Sequence, residues 1–135
     1  MYKKNYIDYL VGLERERQLL PILKTHFKDD SIFQLTQYNT FDYQGDNKYI
    51  ELKSRNNKID KYDKTMIGLN KIMKASSILE DVYFFFWFTD GLFYWKYNRD
   101  IDLEVKKAGR YDRIKSGEIN DYAFIPTTLL TKIII

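Results

Sequence analysis

The chain has 135 residues, a length that suits one hydrophobic core and a single domain over residues 1–135. It has no cysteine, which excludes disulfides and thiolate chemistry and fits a reducing, cytoplasmic compartment. The net charge of +3, from 22 basic and 19 acidic residues, is too mild to mark a nucleic-acid binder on its own, and 17% aromatic residues give ample material for burial.

The opening, MYKKNYIDYL, carries charge but no continuous apolar stretch behind it, so it does not read as a signal peptide. Residues 5–27 predict a helix, because Leu13, Leu19, Leu20, Leu23 and Phe27 recur at the three- and four-residue spacings of one buried face. Pro21 removes a donor inside that helix and should kink or divide it. IFQLTQY follows as a strand. TFDYQ and KYIELKS then form a hairpin about GDN. With Asp46 and Asn47 as a two-residue turn, paired positions sum to 93 and Asp42 faces Glu51. Tyr49, Glu51 and Lys53 share one face, expected to be polar, while Ile50 and Leu52 share the other, expected to be core.

TMIGLNKIMKASSILE reads as a loop leading into a helix with Leu69, Ile72, Met73 and Ile78 inward. VYFFFWFT is a buried strand, Asp90-Gly91 its turn and LFYWKYN its partner. Consecutive aromatics on such a strand are core, with Trp95 and Tyr97 the better candidates for exposure. This longest apolar run is far short of a membrane span. LEVKKAGRYDRIKSGEIND is loop-rich with one short edge strand. YAFIPTTLLTKIII supplies a last strand, and its KIII end closes a sheet edge or meets a second subunit. The order predicts an α/β fold with one mixed β-sheet flanked by helices.

Like charges directly opposite each other destabilise a sheet unless something neutralises them. For Asp42 and Glu51 a metal ion would do so. Mg²⁺ takes oxygen ligands and needs only one or two protein carboxylates, with water and a substrate phosphate completing its shell. Asp42 and Glu51 are such ligands, and the carbonyl of Leu52 offers a third oxygen. Lys53, on the same face, places an ammonium where it can orient a water and neutralise phosphate charge. Basic residues cluster nearby at Lys53, Arg55, Lys58, Lys61 and Lys64, and again at Lys106, Lys107, Arg110, Arg113 and Lys115. Arg55, Lys58, Lys71, Arg110 and Arg113 are the candidate phosphate contacts. His26, the one histidine, is assigned to its helix end rather than to catalysis.

The Phe41-Asp42 pair before the turn and Glu51-Leu52-Lys53 after it, between an amphipathic helix and a helix–strand unit, resemble the PD-(D/E)xK nuclease superfamily over residues 5 to about 97. The likeness is closest to small resolvase-like and viral or phage members. It implies a restriction-endonuclease-like αβββαβ core and a Mg²⁺-dependent endonuclease, with Mn²⁺ able to substitute. The expected partner is branched or duplex DNA, met by a homodimer. The resemblance also implies a helix carboxylate. Glu16 is chosen, with Leu19 and Leu20 at i+3 and i+4, over Glu14, whose neighbours at those spacings are Arg17 and Gln18. Gly12, Glu16, Leu19-Leu20 and Leu23 follow the resolvase-like pattern, whereas Phe41 stands where the naming proline would be. The alternatives are a sequence-specific restriction-type enzyme, a non-catalytic nucleic-acid-binding module, and an ordinary surface ion cluster.

Overall fold

A computed structural model of the chain describes residues 2–108 and 120–135, with the backbone alone for residues 2–5 and 8. Its first element is α1 (Tyr2–Phe27), followed by β1 (Phe33–Gln34), β2 (Tyr43–Gly45), β3 (Lys48–Ser54) and β4 (Lys64–Gly68). Then come α2 (Leu69–Ser77), β5 (Asp81–Phe88), β6 (Gly91–Lys96), β7 (Glu104–Ala108), β8 (Asn120–Pro126) and β9 (Thr131–Ile133). The fold is α/β, as expected.

Six strands form one mixed sheet in the order β1-β2-β3-β5-β6-β9. Within it β3 and β5 are parallel, and every other neighbouring pair is antiparallel. A parallel pair needs a crossover connection. Here the chain from β3 to β5 passes through β4 and α2, and β4 joins β8 and β7 in a second, three-stranded sheet. That sheet was not foreseen: β4 falls in the stretch read as a loop, and its partner β8 lies far along the chain.

Both faces of the large sheet are covered. On one, Leu19 and Leu23 of α1 pack with Tyr43, Ile50, Leu52 and Phe85. On the other, Phe84, Phe86 and Phe88 pack with Phe41, Ala75 of α2, and Ile67, Ala123 and Ile125 of the second sheet. This corrects the expected sidedness. The face carrying Tyr49, Glu51 and Lys53 is a second core, not a polar surface, and Glu51 is 2% exposed. It also explains why β5 reads as unbroken aromatics, since a central strand covered on both sides has no polar face.

The other departures have local causes. α1 runs on through Pro21, whose side is exposed, so water can replace the missing donor. Leu13 and Met73 are exposed, and Ala75 takes the buried place on α2. Trp95 is buried, stacked on Phe84 with ring centroids 6.1 Å apart. His26 lies against the rings of Phe27 and Tyr94. β9 pairs with β6 at the sheet edge, as its apolar sequence led one to expect.

The β2–β3 hairpin is anchored to the end of α1. The Asp29 carboxylate accepts from Lys48 Nζ at 2.7 Å, from the Asp46 N–H at 3.0 Å and from the Ser31 N–H at 2.9 Å. These donors hold its pKa well below the usual carboxylate range, with Lys48 contributing most. Gly45 fits the gap beneath. A Cβ there would stand 2.7 Å from Ile32 Cγ1 and 2.8 Å from Asp29 Oδ2, whereas one at Gly12 would meet nothing within 4 Å. Two glycine substitutions should therefore act in opposite directions in thermal denaturation. Gly45→Ala should cost about 1–3 kcal/mol by overpacking, and Gly12→Ala should stabilise its helix by about 0.5–1 kcal/mol.

Candidate active site

The site is assembled where the short strand β2 begins beside β3. Phe41 is 3% exposed, its ring 5.6 Å from that of Tyr49 and 6.4 Å from that of Phe84. Burying that ring fixes the next residue, Asp42. The Asp42 N–H donates to the Ile50 carbonyl at 3.0 Å, and its own carbonyl accepts from the Leu35 N–H at 2.7 Å. Its side chain is held as well, with Oδ2 accepting the Leu52 N–H at 2.7 Å. The register is Tyr43 opposite Ile50, Gln44 opposite Tyr49 and Gly45 opposite Lys48. Extended by one pair, it sets Asp42 opposite Glu51.

Glu51 lies in the middle of β3, its carboxylate out of water. Oε2 stands 3.3 Å from Lys71 Nζ and 3.7 Å from Lys53 Nζ. Oε1 is buried with no hydrogen-bond partner. Burial pushes its pKa up to about 8, and the neighbouring Asp42 pushes the same way, against Lys53 and Lys71. An unsatisfied buried polar group costs about 1–3 kcal/mol, and more when charged. Such an oxygen needs a cation or a donor.

Glu16 reaches the same place from α1. It is half-buried, and its Oε2 accepts from Gln34 Nε2 at 3.1 Å. Burial first, then the Asp42 charge, raises its pKa to about 7. Tyr43 sets this approach: its ring is fully buried and its hydroxyl donates to the Glu16 carbonyl oxygen. Burial raises the Tyr43 pKa, and the charges of Glu16, Asp42 and Glu51 add to that rise. Glu14 instead bonds Arg17 and Gln18 on the exposed side of the helix.

The lysines differ in setting. Lys53 is 40% exposed, open to an incoming ligand. Lys71, on the first turn of α2, is 19% exposed and donates to the Thr40 carbonyl while facing Glu51. It thereby ties α2 to the segment that carries Asp42. Sequence reasoning placed Lys71 among phosphate contacts and, with Asn70, loosely where the resembled nucleases carry a Gln or Lys on this helix; its approach to Glu51 was not foreseen. Gln34 and Tyr43 were missed outright. The signal for Tyr43 was its place beside Asp42, on the face opposite the carboxylate.

The other candidate contacts separate. Arg55 is turned inward: its guanidinium donates to the Met66 carbonyl and to Thr65 Oγ1, and lies 5.8 Å from the centre of the Phe86 ring. It joins the two sheets, its guanidinium held by oxygens of β4 at one end of a cleft that it also lines. Lys58 is exposed on the loop after β3. Arg110 and Arg113 lie outside the described residues.

Among the described residues no three His, Cys, Asp or Glu side chains form a ready metal cluster. The donors present nonetheless fit a hard divalent cation. Asp42 and Glu51 are adjacent carboxylates, one of them with a buried, unpartnered oxygen, and Mg²⁺ usually takes no more than one or two carboxylates from a protein.

No helix among the described residues is long and apolar enough to cross a membrane. No curated protein and no solved structure matches the chain. A family described as "Phage putative PDDEXK endonuclease" does match, over residues 8–133. The match spans both sheets and α2, far more than the hairpin that carries the motif, and the chain belongs to this phage PDDEXK endonuclease family.

Proposed function

We propose that the protein is a divalent-metal-dependent DNA endonuclease acting through Asp42, Glu51, Lys53 and Glu16. The observation that carries this reading is the buried, unpartnered Oε1 of Glu51 beside Asp42. Ordinary surface ion clusters do not leave a carboxylate oxygen dry and unmet, and a module that only bound DNA would gain nothing from two adjacent carboxylates where a phosphate must approach.

In this reading Asp42 and Glu51 hold the cation, with the Leu52 carbonyl available to it. When bound, Mg²⁺ or Mn²⁺ would supply an activated water and neutralise charge on the scissile phosphate. The chain's own groups do the remainder. Lys53 brings its ammonium to the phosphate and the attacking water. Lys71, braced on the Thr40 carbonyl, orients Glu51. Glu16, half-buried beside Asp42, is placed to accept or return a proton.

Branched DNA is the substrate we favour, because Gly12, Glu16, Leu19-Leu20 and Leu23 follow the pattern of resolvase-like nucleases. A homodimer would present two such sites to a branched substrate. The exposed Tyr6, Tyr9, Leu10 and Leu13, at helical spacing along α1, supply an apolar stripe for that contact.

The direct test incubates labelled four-way-junction, flap and linear duplex DNA with the protein, with and without Mg²⁺. Cutting should require the metal, favour a branched substrate, and fall at least ~100-fold in Lys53→Ala. Folded protein that cuts none of the three would return the chain to a binding role. A second expectation concerns pH. Glu16 and Glu51 bind protons more tightly folded than unfolded, with pKa values raised from 4.5 to about 7 and about 8. Their stabilising contribution is full below the unfolded pKa and is lost as pH rises through the folded ones. Metal-free Tm should therefore fall between roughly pH 5 and pH 8, and the gain from Mg²⁺ should grow over the same range. A metal-induced gain independent of pH would speak against these carboxylates as ligands.

A further inference from the structure

Beyond the carboxylates, β3 runs on to Ser54 and the chain passes to Arg55, about 13 Å of extended backbone from Glu51. It ends at a cleft of about 690 Å³. The same two places are linked a second time: Lys64 and Met66 of β4 line the cleft, and β4 leads directly into α2 and Lys71. The cleft is thus tied to the carboxylates through two segments of backbone, four residues along the chain from Glu51 and five residues back from Lys71.

One wall of the cleft is a face of the second sheet. Met66, Phe124 and Glu104 lie in register across β4, β8 and β7, on the opposite face from the buried Ile67, Ala123 and Ile125. The segment after β3 supplies Tyr62, 59% exposed. Both accessible rings stand beside cations. Lys61 Nζ is 5.5 Å from the centre of Tyr62, and Lys106 Nζ is 4.8 Å from that of Phe124. Lys64 and Lys106 flank Glu104, each 3.5 Å from its Oε1.

Exposed aromatic faces among flexible lysines are the combination that holds single-stranded nucleic acid, in which bases stack on the rings and phosphates meet the cations. Bases within a paired duplex are stacked on one another and cannot enter such a cleft. Glu104 would repel a phosphate at that point, but it can accept from the exocyclic amine of a base, as carboxylates do from cytosine. Taking its ligand class from the nuclease reading above, we propose that this cleft receives one unpaired nucleotide of the DNA substrate, with the base against Tyr62 and Phe124 and the flanking phosphates on Lys61, Lys64 and Lys106. Unpaired nucleotides at a flap, gap or branch point would then be selected next to the site of cutting.

The test compares binding, by fluorescence anisotropy without Mg²⁺, of a duplex with a short single-stranded gap and of the same duplex fully paired. The wild type should prefer the gapped DNA by about tenfold, and Tyr62→Ala should bring the ratio close to one. The double variant Lys64→Ala, Lys106→Ala should weaken gapped binding and lower its salt slope by about 1.4, the single-strand value for two phosphate contacts. All these side chains are at least two-fifths exposed, and unchanged Tm values would show the variants folded. No preference in the wild type, or an unchanged ratio in folded Tyr62→Ala, overturns the assignment. Cutting by the wild type with Mg²⁺, measured alongside, separates the two claims. Cutting without a gap preference leaves the nuclease reading and removes the cleft, while a gap preference that depends on Tyr62 upholds the cleft even if nothing is cut.

Discussion

Everything at this site follows from one carboxylate kept out of water. Glu51 is 2% exposed in the middle of a strand, with one oxygen facing two lysines and the other facing no donor. A domain's whole stability is about 5–15 kcal/mol, so an unmet buried charge is a large local defect. The fold contains it by surrounding it: Lys71 and Lys53 offset part of the charge, and the raised pKa lets the group take a proton when nothing else is bound.

The rest of the architecture can be seen as what holds that carboxylate among its neighbours. Phe41 is driven into the core and carries Asp42 to the start of β2, where the Leu52 N–H fixes its side chain. Tyr43, the next residue, points to the other face and ties α1 to the sheet at Glu16 itself. Three consecutive residues thus set the core, the carboxylate and the helix. On the far side, Arg55 links β3 to β4 through the Met66 carbonyl, and Lys71 links α2 back to Thr40 and Glu51. The crossover required by the parallel β3–β5 pair is therefore also the lid over the carboxylate's face.

How much of this was legible depends on whether the determining contacts were local. The hairpin register was, because Asp46-Asn47 is a two-residue turn with Asn47 at φ 55°, and the turn fixes every pair in the strand that follows. The preference for Glu16 over Glu14 rested on neighbours one helical turn away, and the two side chains do part company there. The covering of the Glu51 face was not legible. It depends on β4 pairing with β8, Gly68 opposite Tyr122 and Lys64 opposite Pro126, across more than fifty residues. Alternation along β3 distinguishes its two faces but says nothing about what packs on each. The contacts of Arg55 were hidden for the same reason: its partners Thr65 and Met66 belong to a strand that the local pattern did not reveal.

The central claim is that Glu51 and Asp42 tolerate each other because they share a cation. Calorimetric titration of Mn²⁺ into the wild type, Asp42→Asn and Glu51→Gln tests it without any substrate. The account predicts saturable binding by the wild type, abolished or weakened at least ~10-fold in each variant while both remain folded. No binding by the wild type, or equal binding by all three proteins, would contradict it.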